Sequence, residues 1–338
     1  MATKRPTYRL SGVSIESDIE LSRARRHDRE AVGKPPRDGG PADAVVRVEL
    51  RPPSPVGPPV EWSEERCFPG SSSPWLSIAR RGDGYLLRVH SVGDFEISGD
   101  GGLVACTPLP GGAPDILEQS FVDQVFPLVL HLRGRFSLHA SGVTTARGVV
   151  GFMGVSGMGK STLAATLTTD AAITDAFTGS KLVSDDCLTL HLSESEVLAL
   201  PSYPASRLWV DSAERFSSTD RLVVDTVRTG KLRLDREGAD ASLPLVALFV
   251  LVADAEVRVE PLRGGDTVAA LAAHLHRLDT ADRRRLTDEL ALLASVAARV
   301  PVSRLVYPRS FDALGAVRAA LAAALASPLG VNARLASG

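Results

Sequence analysis

The segment Gly154-Val-Ser-Gly-Met-Gly159-Lys160-Ser161 fits GxxxxGK[ST] at every fixed position, and it leaves the chain around it little choice of fold. Glycines let the backbone curl until successive N–H groups point inward at an anion. A helix has to follow, so that its free N–H groups and positive dipole end at Met158 to Ser161 meet the same anion. A strand has to precede, to hold the curl in place. Both flanks comply. The apolar run Val149-Val-Gly-Phe-Met153 comes before the loop, and Thr162-Leu-Ala-Ala-Thr-Leu167 continues as a helix after it. Gly154, Ser156, Gly157, Met158, Gly159, Lys160, Ser161 and Thr162 are therefore expected to bind a polyphosphate. Lys160 supplies a mobile cation for the β- and γ-phosphates, and the Ser161 hydroxyl can ligate Mg²⁺. ATP and Mg²⁺ are the expected cofactors.

Downstream, Val183-Ser184-Asp185-Asp186 sets two adjacent carboxylates at the end of an apolar strand. Magnesium needs hard oxygen ligands, usually one or two carboxylates beside phosphate oxygens. A hydroxyl acceptor needs a base within hydrogen-bond reach of its proton. One carboxylate can serve each need, and the sequence does not separate them; we take Asp185 as the base and Asp186 as the metal ligand. A competing acid, Asp254, ends the buried strand Leu245 to Ala253. The loop also resembles that of ABC transporter ATPases, but neither an LSGGQ-type signature nor a strand ending in Asp-Glu occurs.

Charge and composition narrow the classes further. A net charge of −2 gives no basic face for nucleic acid, and 44% apolar with 23% charged residues is ordinary for a globular domain. Cys67, Cys106 and Cys187 show no metal or disulfide spacing. No apolar run is long enough to span a bilayer, and Met1-Ala-Thr-Lys-Arg-Pro6 lacks a signal peptide's apolar core, so a cytoplasmic location is expected. Residues 1–110 read as a β-rich domain of unassigned role, with strands at Tyr8 to Ile15, Val45 to Leu50, Trp75 to Arg81 and Tyr85 to Ile97. Pro110-Gly-Gly-Ala-Pro114 marks a boundary, and strands alternating with helices over 111–330 predict an α/β sheet. A helix is expected over Asp115 to Leu132, kinked at Pro127.

Ser137-Leu-His139-Ala-Ser141, the loop at 154–161 and Leu182-Val-Ser-Asp-Asp186 together resemble the kinase domain of HPr serine kinases. They most resemble the HPr-kinase-like proteins found beside peptide natural-product pathways, lasso-peptide kinases among them. Pro201-Ser-Tyr-Pro204, Arg207-Leu-Trp209 and Leu305-Val-Tyr-Pro308 look like that subgroup, as does the opening Tyr8-Arg-Leu-Ser-Gly-Val-Ser-Ile-Glu-Ser17. The resemblance implies a P-loop kinase domain of the HPr kinase/PEP carboxykinase type behind the β-rich domain. It places the family's phosphate-side His on His139 and its paired acids on Asp185 and Asp186. Cations after those acids imply Arg207, Lys231 and Arg233 as charge stabilisers. No counterpart of the Glu-Ile-Arg-Gly-Leu-Gly stretch of the bifunctional enzymes occurs, so HPr itself is not implied as acceptor.

The expected activity is transfer of the γ-phosphate of ATP to a hydroxyl, a serine of a peptide or protein before a small-molecule alcohol. A nucleotide-binding regulator without transfer is the alternative from another class. No nucleic-acid or membrane partner is expected, and oligomeric state is left open, a homo-oligomer included.

Overall fold

A computed structural model describes residues 5–22, 24–26, 45–55, 57, 60–68, 70–169, 175–202, 205–216, 222–224, 231–236, 238–277 and 283–326. The chain is mixed α/β and divides into two units, Met1–Ser137 with His276–Thr287, and Leu138–Leu275 with Asp288–Gly338.

The first unit is built on a sheet with nine described strands. These are β1 (Thr7–Leu10), β2 (Val13–Ser17), β3 (Arg25–Arg26), β4 (Val45–Leu50), β5 (Glu64–Cys67), β6 (Pro74–Arg81), β7 (Gly84–Val89), β8 (Gly93–Ile97) and β9 (Leu103–Pro108). Their order is β3-β1-β2-β4-β9-β8-β7-β6-β5. The run expected as one strand from Tyr8 to Ile15 is a hairpin instead. Ser11 and Gly12 take φ of 48° and 68°, the left-handed pair that a two-residue turn between twisted strands requires. Tyr85 to Ile97 likewise splits at residues 90–92, where buried Val92 falls out of step with the alternation on either side of the turn.

The helical segment expected to open the second domain lies in the first unit. It comprises α1 (Pro114–Ser120), a π turn at Phe121–Val125 and α2 (Phe126–Leu132). Proline at 127 cannot donate to the preceding turn, and the wide turn ahead of it absorbs that missing bond.

The second unit begins as β10 (Phe136–Leu138) ends. It holds β11 (Ala140–Thr145), β12 (Gly148–Met153), α3 (Lys160–Thr169), β13 (Leu182–Ser184), β14 (Leu188–Leu192), β15 (Val197–Leu200), β16 (Ala205–Trp209) and α4 (Val210–Phe216). Then follow β17 (Leu222–Val224), β18 (Lys231–Asp235), β19 (Leu243–Ala253), β20 (Arg258–Pro261), α5 (Gly265–Ala273), α6 (Arg283–Arg299), β21 (Val302–Tyr307) and α7 (Leu314–Ala326). The main sheet runs β14-β15-β19-β12-β11-β13. β19 is long enough to pair antiparallel with β15 at its start and parallel with β21 along its second half. Its other edge lies parallel to β12. A separate small sheet has the order β16-β18-β17.

Parallel strands covered on their faces read as continuous apolar runs, and β12 and β19 do. Phe152 of β12 and Phe249 of β19 stack at 6.1 Å between ring centroids, both fully buried. Leu163, Ala164 and Leu167 of α3 and Val317, Leu321 and Leu325 of α7 join the same core cluster. Arg318 of α7 clamps Asp175 through two hydrogen bonds of 2.7 and 3.0 Å. Among the described residues no helix is long and apolar enough to cross a membrane.

Truncating Phe249 to Ala empties the centre of this core. Its unfolding free energy should fall by about 3–5 kcal/mol in a urea titration; a loss under 1 kcal/mol would mean that the two rings do not share one core.

Candidate active site

Three neighbouring strands gather the site. Across β11 and β12, Ala140 faces Met153 and Gly142 faces Gly151; across β11 and β13, Gly142 faces Ser184. The residue before β11, the residues after β12 and those after β13 therefore emerge at one end of the sheet. They are His139, the loop from Gly154, and Asp185 with Asp186.

The loop curls through Gly157 and Gly159, with φ of 83° and 93°. Lys160 opens α3 and turns back over the loop. Its Nζ donates to the Gly154 carbonyl at 2.7 Å and lies 3.0 Å from His139 Nε2. A lysine ammonium can only donate, so Nε2 accepts and the imidazole proton sits on Nδ1. That nitrogen lies 3.1 Å from the Asp186 carbonyl and 3.3 Å from its Oδ1. Thr162, the residue after the pattern and already within α3, meets Ser212 of α4 through its hydroxyl at 3.1 Å.

The two adjacent carboxylates have separate environments. Asp186 takes φ of 95°, a region costly for a residue with a Cβ, and this twist sends neighbouring side chains in different directions. Asp185 turns inward and is buried. Its Oδ1 accepts from the Ser141 hydroxyl at 2.5 Å and its Oδ2 from the Arg207 backbone N–H at 2.8 Å. Burial pushes its carboxyl above the usual range and the Asp186 charge adds to this, while hydrogen bonds from Ser141, Arg207 and Ser161 oppose. Asp186 is partly exposed and lines a cavity of about 440 Å³ together with His139, Lys160, Ser161 and Arg207. That volume is in the range of small-ligand sites.

The residues suit the groups the sequence implies. A curled glycine loop, a helix N-terminus and a lysine converge on one cavity, which is what a polyphosphate needs. The Ser161 hydroxyl beside Asp185 offers two hard oxygens for Mg²⁺, which takes few protein ligands. Among the described residues no three or more His, Cys, Asp or Glu side chains gather into a metal-holding group, so a metal here would rest on few protein ligands.

The competing acid stands apart from this constellation. Asp254 is an exposed acid held by Arg258 at 2.7 Å and by the Ala255 N–H, and it is not part of the cavity wall. Lys231 opens β18 opposite Trp209 and Arg233 lies opposite Arg207. The side chains of Lys231 and Arg233 lie outside the described residues, as do Tyr203 and Pro204 of the Pro-Ser-Tyr-Pro segment.

Other members of the site carry no spacing by which a sequence could mark them. Tyr307, at the end of β21, donates its hydroxyl to the Met158 carbonyl at 2.6 Å. Burial pushes this phenol up to about 12, so it stays a donor. A Cβ on Gly159 would stand 2.8 Å from the same hydroxyl, which explains that glycine by close approach as well as by φ. Ser141 is visible in the sequence only as part of the segment around His139.

No family model and no curated protein matches the chain. Among solved structures, the HPr(Ser) kinase/phosphatase from Coxiella burnetii aligns over 55% of this chain and 93% of that one, at 11% identity and a TM-score of 0.26. A likeness at this level leaves the reading of the site to its own geometry.

Asp185 supplies a stability test without any ligand. Its folded pKa is raised, so above that value the native state bears the cost of a buried charge, and below the unfolded value of about 3.9 it does not. Asp185→Asn should therefore melt higher than the parent at pH 8, with the gain shrinking to nothing as pH falls below about 4. A variant that melts lower at pH 8 would show that the ionised carboxylate is on balance stabilised.

Proposed function

We propose that this chain is an ATP- and Mg²⁺-dependent phosphotransferase acting on a hydroxyl, with a serine of a peptide or protein as the acceptor class. The observation that carries the reading is the line Lys160–His139–Asp186 on the wall of a single cavity, at the mouth of a glycine-rich loop. ATP supplies a transferable phosphoryl group there, and Mg²⁺ offsets its charge.

The chain's own groups then divide the work. Backbone N–H groups of the loop and the start of α3 hold the phosphates, and Lys160 neutralises charge that builds toward transfer. His139, held in one tautomer, orients Asp186 and links it to Lys160. Asp186 accepts the acceptor's proton as the new P–O bond forms and the bond from the γ-phosphorus to the β–γ bridging oxygen breaks, with ADP as the leaving group, because it is the carboxylate that reaches the cavity. Asp185 takes the metal side with Ser161, whose hydroxyl lies beside it, and a cation would compensate the burial of its charge. This exchanges the two roles as assigned from sequence. Arg207 serves twice, its N–H fixing Asp185 and its side chain lining the cavity where charge develops.

Incubation with γ-labelled ATP and Mg²⁺, against serine peptides and small alcohols in parallel, should move label to an acceptor. Asp186→Asn should cut that transfer by about 10²- to 10⁴-fold with nucleotide affinity kept. Asp185→Asn should instead raise the Mg²⁺ concentration required. Full-rate transfer by Asp186→Asn would remove the base assignment, and a parent chain that binds no nucleotide would remove the reading altogether.

A further inference from the structure

The cavity wall extends beyond what a triphosphate uses. Past Tyr307 it includes Phe311 and Asp312, and it includes Arg215 on the last turn of α4. The Arg215 guanidinium lies over the Phe311 ring, 5.0 Å from its centroid. We propose that Phe311 and Arg215 form the nucleobase subsite, the ring as platform and the guanidinium as cover. This rests on the nucleotide reading of the loop.

The platform is fixed and the cover can move. Phe311 packs against the core cluster that holds Phe152 and Phe249. Its backbone belongs to a short 3₁₀ turn at Phe311–Ala313, capped by Ser310, whose hydroxyl accepts from the Asp312 N–H at 3.2 Å. Four residues earlier, Tyr307 is hydrogen-bonded to the loop itself at Met158. Four residues span at most ~14 Å of chain, so the ring is tied at short range to the phosphate end of the same cavity. Arg215, by contrast, is an exposed, long side chain. A base is planar and uncharged, with π-faces that both an aromatic ring and a guanidinium accept. On binding, the base takes the ring face that Arg215 now covers, and the guanidinium closes over the base's outer face.

Stacking reads a face, so it should contribute to nucleotide affinity and nothing to the affinity of a bare polyphosphate. Calorimetry on the full chain with Mg²⁺ would compare ATP with inorganic tripolyphosphate. Phe311→Ala should weaken ATP binding about 5- to 100-fold while tripolyphosphate binding stays within about two-fold. Phe311→Tyr should retain ATP binding. Arg215→Ala, at an exposed position that cannot endanger folding, should weaken ATP in the same selective way by a smaller factor. Unchanged ATP affinity in both Ala variants, or ATP and tripolyphosphate weakening together, would overturn the subsite. Failure of the loop reading looks different, since the parent chain would then bind neither ligand.

Discussion

The alignment of β12, β11 and β13 is the constraint on which the site depends. A strand register is set in steps of one residue, and a slip of one would reverse which side chains face the core. With Ala140 opposite Met153 and Gly142 opposite Ser184, three segments far apart in the chain end side by side. Buried Val143 of β11, Val150 and Phe152 of β12 and Leu182 of β13 share one core cluster and hold that register, so the precision of the polar site derives from the packing of the apolar one.

Two adjacent aspartates with separate environments illustrate how one backbone torsion allocates chemistry. A carboxylate sealed behind a serine, a backbone N–H and Ser161 keeps its proton more tightly, whereas its neighbour on the cavity wall meets solvent and His139. Like charges in sequence would ordinarily raise each other's proton affinity, and burial makes that effect unequal. The unusual φ of Asp186 is the local cost of this separation.

Much of this was legible in the chain because it is local. Glycine spacing, the apolar run before it and the helical run after it lie within about twenty residues, so the loop, β12 and α3 fall where the pattern puts them. The strand at Leu182–Ser184 and the acids behind it were also readable, and their closeness to His139 came through resemblance, not periodicity. What could not be read depends on other elements. Apolar residues continue on both sides of the turn at 90–92 and mask it, and nothing in the order of letters says that Asp185 faces inward or that Tyr307 and Phe311 reach the cavity. Those facts arise from sheet order and a single torsion, which no spacing rule encodes. Asp254 is the converse case, an acid in a plausible strand-end position that pairs on the surface with Arg258 four residues on.

Tyr307 and Gly159 also constrain one another as the gene changes. The phenol fills the space a side chain at 159 would need, so enlarging 159 is tolerated only once 307 has been shortened. Shortening 307 alone forfeits the bond to Met158 that steadies the loop. Either first step is costly, and the positive φ at 159 keeps the second from fully repairing it. The two positions are thus inherited as a pair, and a drifting lineage would keep both or remodel the loop around them.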